Sequence, residues 1–418
     1  MTPLYNGLMY FIWFIVTFYM IFVVLSIIVY KNELFKVPNN KILKRKPLVS
    51  LIVPAFNEEE TVAQSIHSLT KVSYKHVEFI FLNDGSSDNT SKIISEEIKK
   101  LHKKGDKRFR FVDNKINKGK AATLNQGIKL AKGEFIACMD ADTVVEKDIF
   151  QKVLVEFTGK EIGAVTVSVE VKNKNKLLNK IISVEFNLGL SLLLRIFSFA
   201  GVVWVTPGPF SIYRKSVLDE IGSFDSKSMV EDHEIAFRIN SAGYKIKNTM
   251  HAHVWAFMPE TFKGSYIQRR RWYSGSIITM FEHKDKLFKK KQGLFSFFIP
   301  FNMFIIFLSL VMFVATSTLL LIKLIKQFIF FSQTGFNFFA HWNFIFDPLY
   351  YGRINLMGAS MFLMVIVFIL VGLILSKRSL KENPWGILLF PFFYIFYQIY
   401  WWGAVISTIT KRGKIKWR

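Results

Sequence analysis

The sequence predicts an α/β domain set between transmembrane α-helices, and three observations lead there. Long uncharged apolar runs stand near both ends of the chain. Between them, short β-branched runs alternate with amphipathic stretches. A net charge of +24 also coexists with 51% hydrophobic residues and a mean hydropathy of +0.27. A basic soluble protein is seldom this apolar. A membrane protein whose basic residues gather on one side of the bilayer accommodates both properties. The apolar fraction excludes a disordered chain, and the single cysteine, Cys138, excludes a disulfide scaffold.

Leu8–Tyr30 is free of charge and long enough as a helix to cross ~30 Å of hydrocarbon. No basic residue precedes it and no small-residue cleavage site follows, which argues against a signal peptide. Lys31, Lys36, Lys41, Lys44, Arg45 and Lys46 come next. The positive-inside rule puts them, and the region after them, in the cytoplasm.

Leu48–Val53 is a buried-strand signal that ends at Pro54. A helix is expected after a turn at Asn57, carrying Glu58, Glu59 and Glu60. Glu78–Leu82 is a second strand and runs into Asn83-Asp84-Gly85-Ser86-Ser87-Asp88, rich in turn and cap residues. A helix continues from Thr90. Phe109–Val112 and Glu134–Met139 are further strands, with a helix over Ala121–Ala131 between them. Alternating strands and helices imply a mostly parallel sheet, whose ligands bind beyond the carboxyl ends of its strands. Asn57, Asp84, Asp140 and Asp142 all fall there. The sequence contains no Gly-x-Gly-x-x-Gly, Walker loop or zinc spacing. A hard cation held by carboxylate and phosphate oxygens remains compatible.

Further spans are expected at Phe297–Ile322, Leu356–Leu375 and Ile387–Ile409. Phe328–Tyr351 is aromatic but interrupted by polar residues, and reads as an external, re-entrant or interfacial segment. Three spans after a cytoplasmic domain would leave Lys411–Arg418 outside, whereas its charge favours the cytoplasm. The domain division is therefore an N-terminal helix (1–30), a cytoplasmic domain (47–291), a C-terminal membrane region (292–410) and a basic tail (411–418).

Six segments resemble, in order, the inverting glycosyltransferases of family 2, specifically the membrane-embedded processive polysaccharide synthases. They are Val53–Thr61 (VPAFNEEET), Phe81–Thr90 (FLNDGSSDNT), Asn117–Gly127 (NKGKAATLNQG), Met139–Thr143 (MDADT), Val230–Glu234 (VEDHE) and Gln268–Trp272 (QRRRW). Gly208-Pro209 followed by Tyr213-Arg214 looks closer to hyaluronan and chitin-oligomer synthases. The Glu231-Asp232 and Gln268–Trp272 segments and the lone N-terminal span look closer to poly-β-1,6-N-acetylglucosamine synthases. Val230 stands where the family often has Thr.

The resemblance implies a GT-A type nucleotide-diphospho-sugar fold. It places Pro54, Asn57, Glu58 and Asp84 at the uridine and ribose, Lys120 at the diphosphate, and Asp140 at the nucleotide. Asp142 becomes the metal ligand, for Mg²⁺ or Mn²⁺. Asp232 becomes the general base, flanked by Glu231. Gly208, Pro209, Gln268, Arg271 and Trp272 lie beside the acceptor and pyrophosphate. The implied activity is processive polymerisation of a UDP-sugar, foremost UDP-N-acetylglucosamine, with export of the glycan. The rival readings are single transfer to a lipid acceptor, or a synthase of the hyaluronan or cellulose kind. The implied partners are the donor, a growing glycan or lipid acceptor, membrane lipid and a small accessory membrane subunit, but not nucleic acid. The location would be the plasma membrane, multi-pass, with the catalytic domain in the cytoplasm.

Other features have plainer readings. Cys138 is a small core residue in a strand. His251 and His253 alternate as in a strand and have structural roles. Lys284–Lys291 faces anionic lipid. Arg269–Arg271 taken alone would be solvated charge or a headgroup patch.

Overall fold

The computed structural model describes residues 3–34, 36, 38, 41–333, 335, 352–375 and 383–410. Helix α1 (Pro3–Leu34) contains the whole N-terminal apolar run and carries exposed apolar side chains such as Phe14, Phe18, Ile28 and Val29. A single turn, α2 (Lys41–Lys44), leads to the sheet.

The chain then alternates as β1 (Val49–Ala55), α3 (Val62–Thr70), β2 (Val77–Asp84), α4 (Thr90–Lys103), β3 (Phe109–Asn114), α5 (Lys120–Leu130) and β4 (Phe135–Cys138). Strand β1 is buried along its whole length, as expected of a central strand covered on both faces. Phe79, Phe81, Phe109 and Phe150 fill the layer on one side. The expected helix over Glu58–Glu60 starts later, at Val62. Asn57 adopts a left-handed φ of 55°, and Glu58 N–H donates to Thr90 Oγ1 at 2.7 Å instead of entering a helical ladder.

Beyond β4 come β5 (Val144–Val145), α6 (Ile149–Leu154), β6 (Ile162–Val171), α7 (Leu177–Phe186), a π-helical segment (Asn187–Leu193) and α8 (Leu194–Ala200). They are followed by β7 (Ser211–Arg214), α9 (Lys215–Ile221), α10 (Glu231–Ser241), β8 (Lys245–Ala256) and α11 (Phe262–Glu282). The strand order is β3-β2-β1-β4-β7-β6-β8-β5. Strands β1 to β4 are parallel, as the alternation implies. Strand β7 then runs antiparallel to both β4 and β6, and β5 runs antiparallel to β8. The sheet is therefore mixed, because β7 enters between β4 and β6 from the opposite end. His251 and His253 lie on β8, where the pairing with β6 jumps from Val167↔Thr249 to Ser168↔His253.

Leu177–Ala200 is long and apolar enough to cross a membrane, yet 67% of its most apolar window is buried in the fold. It lies between the sheet and the C-terminal helices. Ser191 Oγ meets Ser168 Oγ of β6 at 2.7 Å, and Leu188 sits against Gly372, where a Cβ would lie 2.3 Å from its Cδ2. The C-terminal helices are α12 (Phe295–Gln333), α13 (Gly352–Leu375) and α14 (Pro384–Thr410). Among the described residues, α1, α12 and α13 are also long and apolar enough to span. So is α14, as a pair of segments bent by 51° shortly after Pro391, which withholds a helical N–H. Phe328–Gln333 continues α12 rather than forming a loop, since no breaker intervenes before Gly335 at φ 70°. Residues 336–351 and the basic tail lie outside the described residues.

Helix α5 reaches the sheet through Gly127, where a Cβ would stand 2.4 Å from Ile52 Cγ2. Gly127→Val should destabilise the domain by about 1–3 kcal/mol through overpacking, measured as a lowered thermal unfolding midpoint.

Candidate active site

Three loops converge at the carboxyl ends of β1, β2 and β3. Asn57 N–H donates to Ser86 Oγ at 3.0 Å, and Asn57 Oδ1 accepts from Ser87 N–H at 2.9 Å. Glu59 Oε2 accepts from both the backbone and the side chain of Asn89. Asp84 is 2% exposed and accepts from the N–H groups of Lys118 and Gly119, each at 2.9 Å. Gly85 has φ 70°, and a Cβ there would lie 2.6 Å from Asn117 N. Only glycine lets the two loops approach so closely. Pro54, Asn57, Glu58 and Asp84 are thus brought to one rim, next to the start of α5.

Lys120, the first residue of α5, is the centre of the arrangement. Its Nζ lies 2.6 Å from Asp140 Oδ1, beyond β4, and 2.7 Å from Glu231 Oε1, the first residue of α10. Asp232 follows Glu231. A cavity of ~10 Å³ is lined by Lys120, Cys138, Asp140, Gly208, Glu231 and Asp232 among others. The Gly208-Pro209 loop closes directly over the ion pair: a Cβ on Gly208 would stand 2.8 Å from both Asp140 Oδ2 and Lys120 Nζ. Thr206 anchors that loop to α10, its N–H and its hydroxyl both donating to Asp232 O at 3.1 and 2.9 Å.

Burial works against every charge here, and the neighbours decide the outcome. Burial opposes the Lys120 ammonium, but Asp140, Glu231 and Asp232 outweigh it and raise the group well above the ordinary lysine value. Burial likewise opposes the Glu231 carboxylate, but Lys120 outweighs it and lowers the group. Asp232 goes the other way: burial, joined by repulsion from Glu231, raises it, with His233, Lys120 and Arg271 offsetting only part. Asp142 is pushed up to about 8 by burial, then by the negative charges of Asp140 and Glu58. Burial also raises the Cys138 thiol, and Cys138 is the core residue its strand setting implies.

Helix α11 brings the Gln268–Trp272 segment alongside. Gly275 makes this possible, since a Cβ there would lie 2.3 Å from Val230 Cγ2. Arg271 is near enough to Glu231 and Asp232 to favour both carboxylates. Gln268 Oε1 is buried with no hydrogen-bond partner among the described residues. The Trp272 ring faces Arg269, whose guanidinium carbon lies 4.5 Å from the ring centroid. Arg269 is no solvated charge: it is 3% exposed and pairs with Glu185 Oε2 at 2.7 Å. Sequence reasoning missed this pair. The available signal was a lone acid in an apolar run. His251 and His253 lie on β8; His253 Nδ1 is 3.0 Å from Glu170 Oε1, and its N–H donates to Glu146 at 2.6 Å.

Comparison with known proteins defines the class. Residues 50–222 match the model of glycosyl transferase family 2, so the chain carries a glycosyltransferase domain of that family on a GT-A-like mixed sheet. Two relatives are closer still. The poly-beta-1,6-N-acetyl-D-glucosamine synthase of Staphylococcus epidermidis is 37% identical over 228 residues, covering 54% of each chain. That of Staphylococcus aureus (strain COL) is 34% identical over the same coverage. The chain thus spans about half the length of the curated relatives it matches. A mannosyltransferase from Pyrobaculum calidifontis, solved with GDP-Man and Mn²⁺, shares the fold over 97% of this chain and 99% of its own, with a TM-score of 0.64 at 15% identity.

Gly208→Ala would force apart the loop and the Lys120–Asp140 pair. Turnover should fall roughly 10²-fold from misplacement of the site, measured as nucleoside diphosphate release. Lys120→Met leaves the buried Glu231 carboxylate and the half-buried Asp140 without their cation, and a loss of about 3–5 kcal/mol is expected, measured in thermal unfolding.

Proposed function

We propose that the chain is an inverting, membrane-bound glycosyltransferase that polymerises UDP-N-acetylglucosamine into a β-linked glycan. The observation that carries this reading is the single constellation of Asp140, Lys120, Glu231 and Asp232 at the strand ends, with α11 beside it and apolar helices behind. The similarity to poly-beta-1,6-N-acetyl-D-glucosamine synthases supports the choice of donor and product.

In this reading Pro54, Asn57, Glu58 and Asp84 form the rim that receives the uridine and ribose. Asp232 removes the proton from the acceptor hydroxyl as that oxygen attacks the anomeric carbon. Its raised affinity for protons improves it as a base, and Glu231 holds Lys120 beside it. Arg271 meets the pyrophosphate, while Gln268 and Trp272 with Gly208 and Pro209 border the acceptor. Inversion follows from one displacement on the face opposite the leaving diphosphate.

The residues also fit a divalent cation. Asp140 and Asp142 offer only hard oxygen atoms; burial first, then repulsion from Asp140 and Glu58, raises Asp142 to about 8, and a cation would relieve the repulsive part. Among the described residues no three His, Cys, Asp or Glu side chains are grouped as a metal cage. A two-carboxylate site leaves the remaining positions to diphosphate oxygens, as Mg²⁺ or Mn²⁺ accepts. Such an ion supplies charge neutralisation for the departing nucleoside diphosphate.

Residues 47–291 then act in the cytoplasm. Residues 1–30 and 292–410 anchor them in the plasma membrane and pass the growing glycan outward, where a small accessory membrane subunit would also sit. Tyr397, Tyr400 and Trp401 of α14 lie against α11, on the side where a sugar chain would leave.

Purified protein in lipid, given UDP-N-acetylglucosamine and Mg²⁺ or Mn²⁺, should release UDP and yield a polymer. A single-sugar glycolipid would refute polymerisation. Asp232→Asn should cut turnover by at least ~10²-fold, and undiminished turnover would refute the assignment of the base. The pH profile should lose activity on the acid side, because the base works only when deprotonated. Its midpoint should lie above the ordinary aspartate value of about 3.9.

A further inference from the structure

Helix α10 carries the proposed base in its first turn, and two side-chain links fasten that turn to α11. Glu234 accepts from His283 Nε2 at 3.1 Å at the far end of α11, and is also held by Arg238. The second link lies next to Asp232 itself. His233 Nδ1 is 3.0 Å from Ser276 Oγ, and Ser276 Oγ donates to Trp272 O at 2.9 Å.

The hydrogen-bond inventory assigns the protons. A serine hydroxyl has one proton, and here it points at the Trp272 carbonyl. Ser276 Oγ is then the acceptor, so His233 Nδ1 carries the proton and donates. Burial also favours the neutral ring over the imidazolium, outweighing the attraction of Asp232 and Glu231. The ring is thereby anchored, through Ser276, on the last residue of the Gln268–Trp272 segment. The backbone N–H of the same histidine donates to Asp232 Oδ1 at 3.0 Å. One residue thus grips the carboxylate of the base on one side and the acceptor-side helix on the other.

We propose that His233 is a positioning residue that fixes the Asp232 carboxylate against the Gln268–Trp272 helix through the relay His233 Nδ1–Ser276 Oγ–Trp272 O. It does not touch substrate. It sets the distance and angle between the base and the acceptor-side groups, and that geometry matters only when the proton is removed. The proposal rests on the reading of Asp232 as the base. Loss of the link should therefore appear chiefly in kcat, with donor KM and UDP affinity changed far less, since Asn57, Asp84 and Asp140 lie off α11 and only Arg271 among the donor contacts lies on it.

The test compares variants of the full chain in lipid, measuring kcat, donor KM, UDP binding and the thermal midpoint. His233→Leu should lower kcat by roughly 10–10²-fold, the cost of a misplaced catalytic group, with donor KM within about twofold of wild type. Ser276→Ala should act in the same direction. The double variant should be no worse than His233→Leu alone, as expected for partners in one link. His233→Asn places an amide N–H where Nδ1–H stood and should recover most of the loss. His283→Gln weakens the other link, and should lower the thermal midpoint while kcat is retained.

Wild-type kcat in His233→Leu or Ser276→Ala would overturn the proposal, as would additive losses, no recovery in His233→Asn, or an equal kcat loss in His283→Gln. If His233→Leu loses UDP binding through misfolding, Ser276→Ala decides by the same criteria. Asp232→Asn, run in parallel, separates the two readings. An active Asp232→Asn removes the base assignment whatever the histidine variants do. An inactive one beside a fully active His233→Leu removes only the present proposal.

Discussion

Lys120 holds the site together. Its ammonium is shared between Asp140, beyond a sheet strand, and Glu231, at the start of a helix almost a hundred residues later. Glu231 is a buried charge that depends on the lysine, Asp140 is half-buried beside it, and the buried lysine depends on both. Buried ion groups of this kind contribute little net stability, but breaking one is costly, so they fix arrangement more than they add energy. Here the arrangement fixed is the relation between the Asp140 strand end and the α10 start that carries Glu231 and Asp232. The Gly208 loop depends on it as well, since it packs on the pair with no room for a Cβ. The centre still holds more carboxylates than cations: Asp140, Asp142, Glu231 and Asp232 face Lys120 and Arg271. Burial first, and that excess after it, raises Asp142 and Asp232, and the excess suits a site whose ligands arrive with a divalent ion.

An acid-rich centre in a chain of net charge +24 implies that the basic residues are elsewhere. Lys41, Lys44, Arg45 and Lys46 are exposed at the entry to the sheet, and Lys284, Lys286, Lys289, Lys290 and Lys291 are exposed just before α12. Both stretches lie where the domain meets long apolar helices. Such clusters attract anionic headgroups at about 1 kcal/mol per residue near the surface. The apolar Leu177–Ala200 stretch completes that junction. It covers β6 on one side, while Ile369, Leu373, Phe390 and Phe393 of α13 and α14 join the same core on the other.

Strands β1 to β4 and the start of α4 at Thr90 were legible because each is encoded locally, as a short apolar run or a cap. The acids at the strand ends were legible because topology follows from the alternation. What the sequence did not reveal depends on long-range pairing. Strand β7 is as short and apolar as a parallel strand, and its reversed direction appears only in its register with β4 and β6. Leu177–Ala200 has the composition of a span, so burial alone separates it from α13. Lys120 was legible as a cation near phosphate, but its ion pair with Glu231 joins motifs that the sequence keeps separate.

Arg269 shows the same limit and what lies behind it. In a run of three arginines, all look alike in sequence. In the fold one is buried under Trp272 and paired with Glu185, whereas its neighbour Arg271 acts on Glu231 and Asp232. Helical positions two apart, such as Arg269 and Arg271, are ~200° apart, so one triplet serves two faces. One face of α11 is bound to the apolar helix that joins the sheet to α13 and α14, and another looks into the site. The Gln268–Trp272 segment is therefore held from both sides, by Glu185 at the junction with the apolar helices and by His233 and Ser276 beside Asp232. A shift of the apolar helices would reach Asp232 through α11, whose contact at Gly275 leaves no slack. The close packing that positions Asp232 thereby also ties its geometry to the long apolar helices.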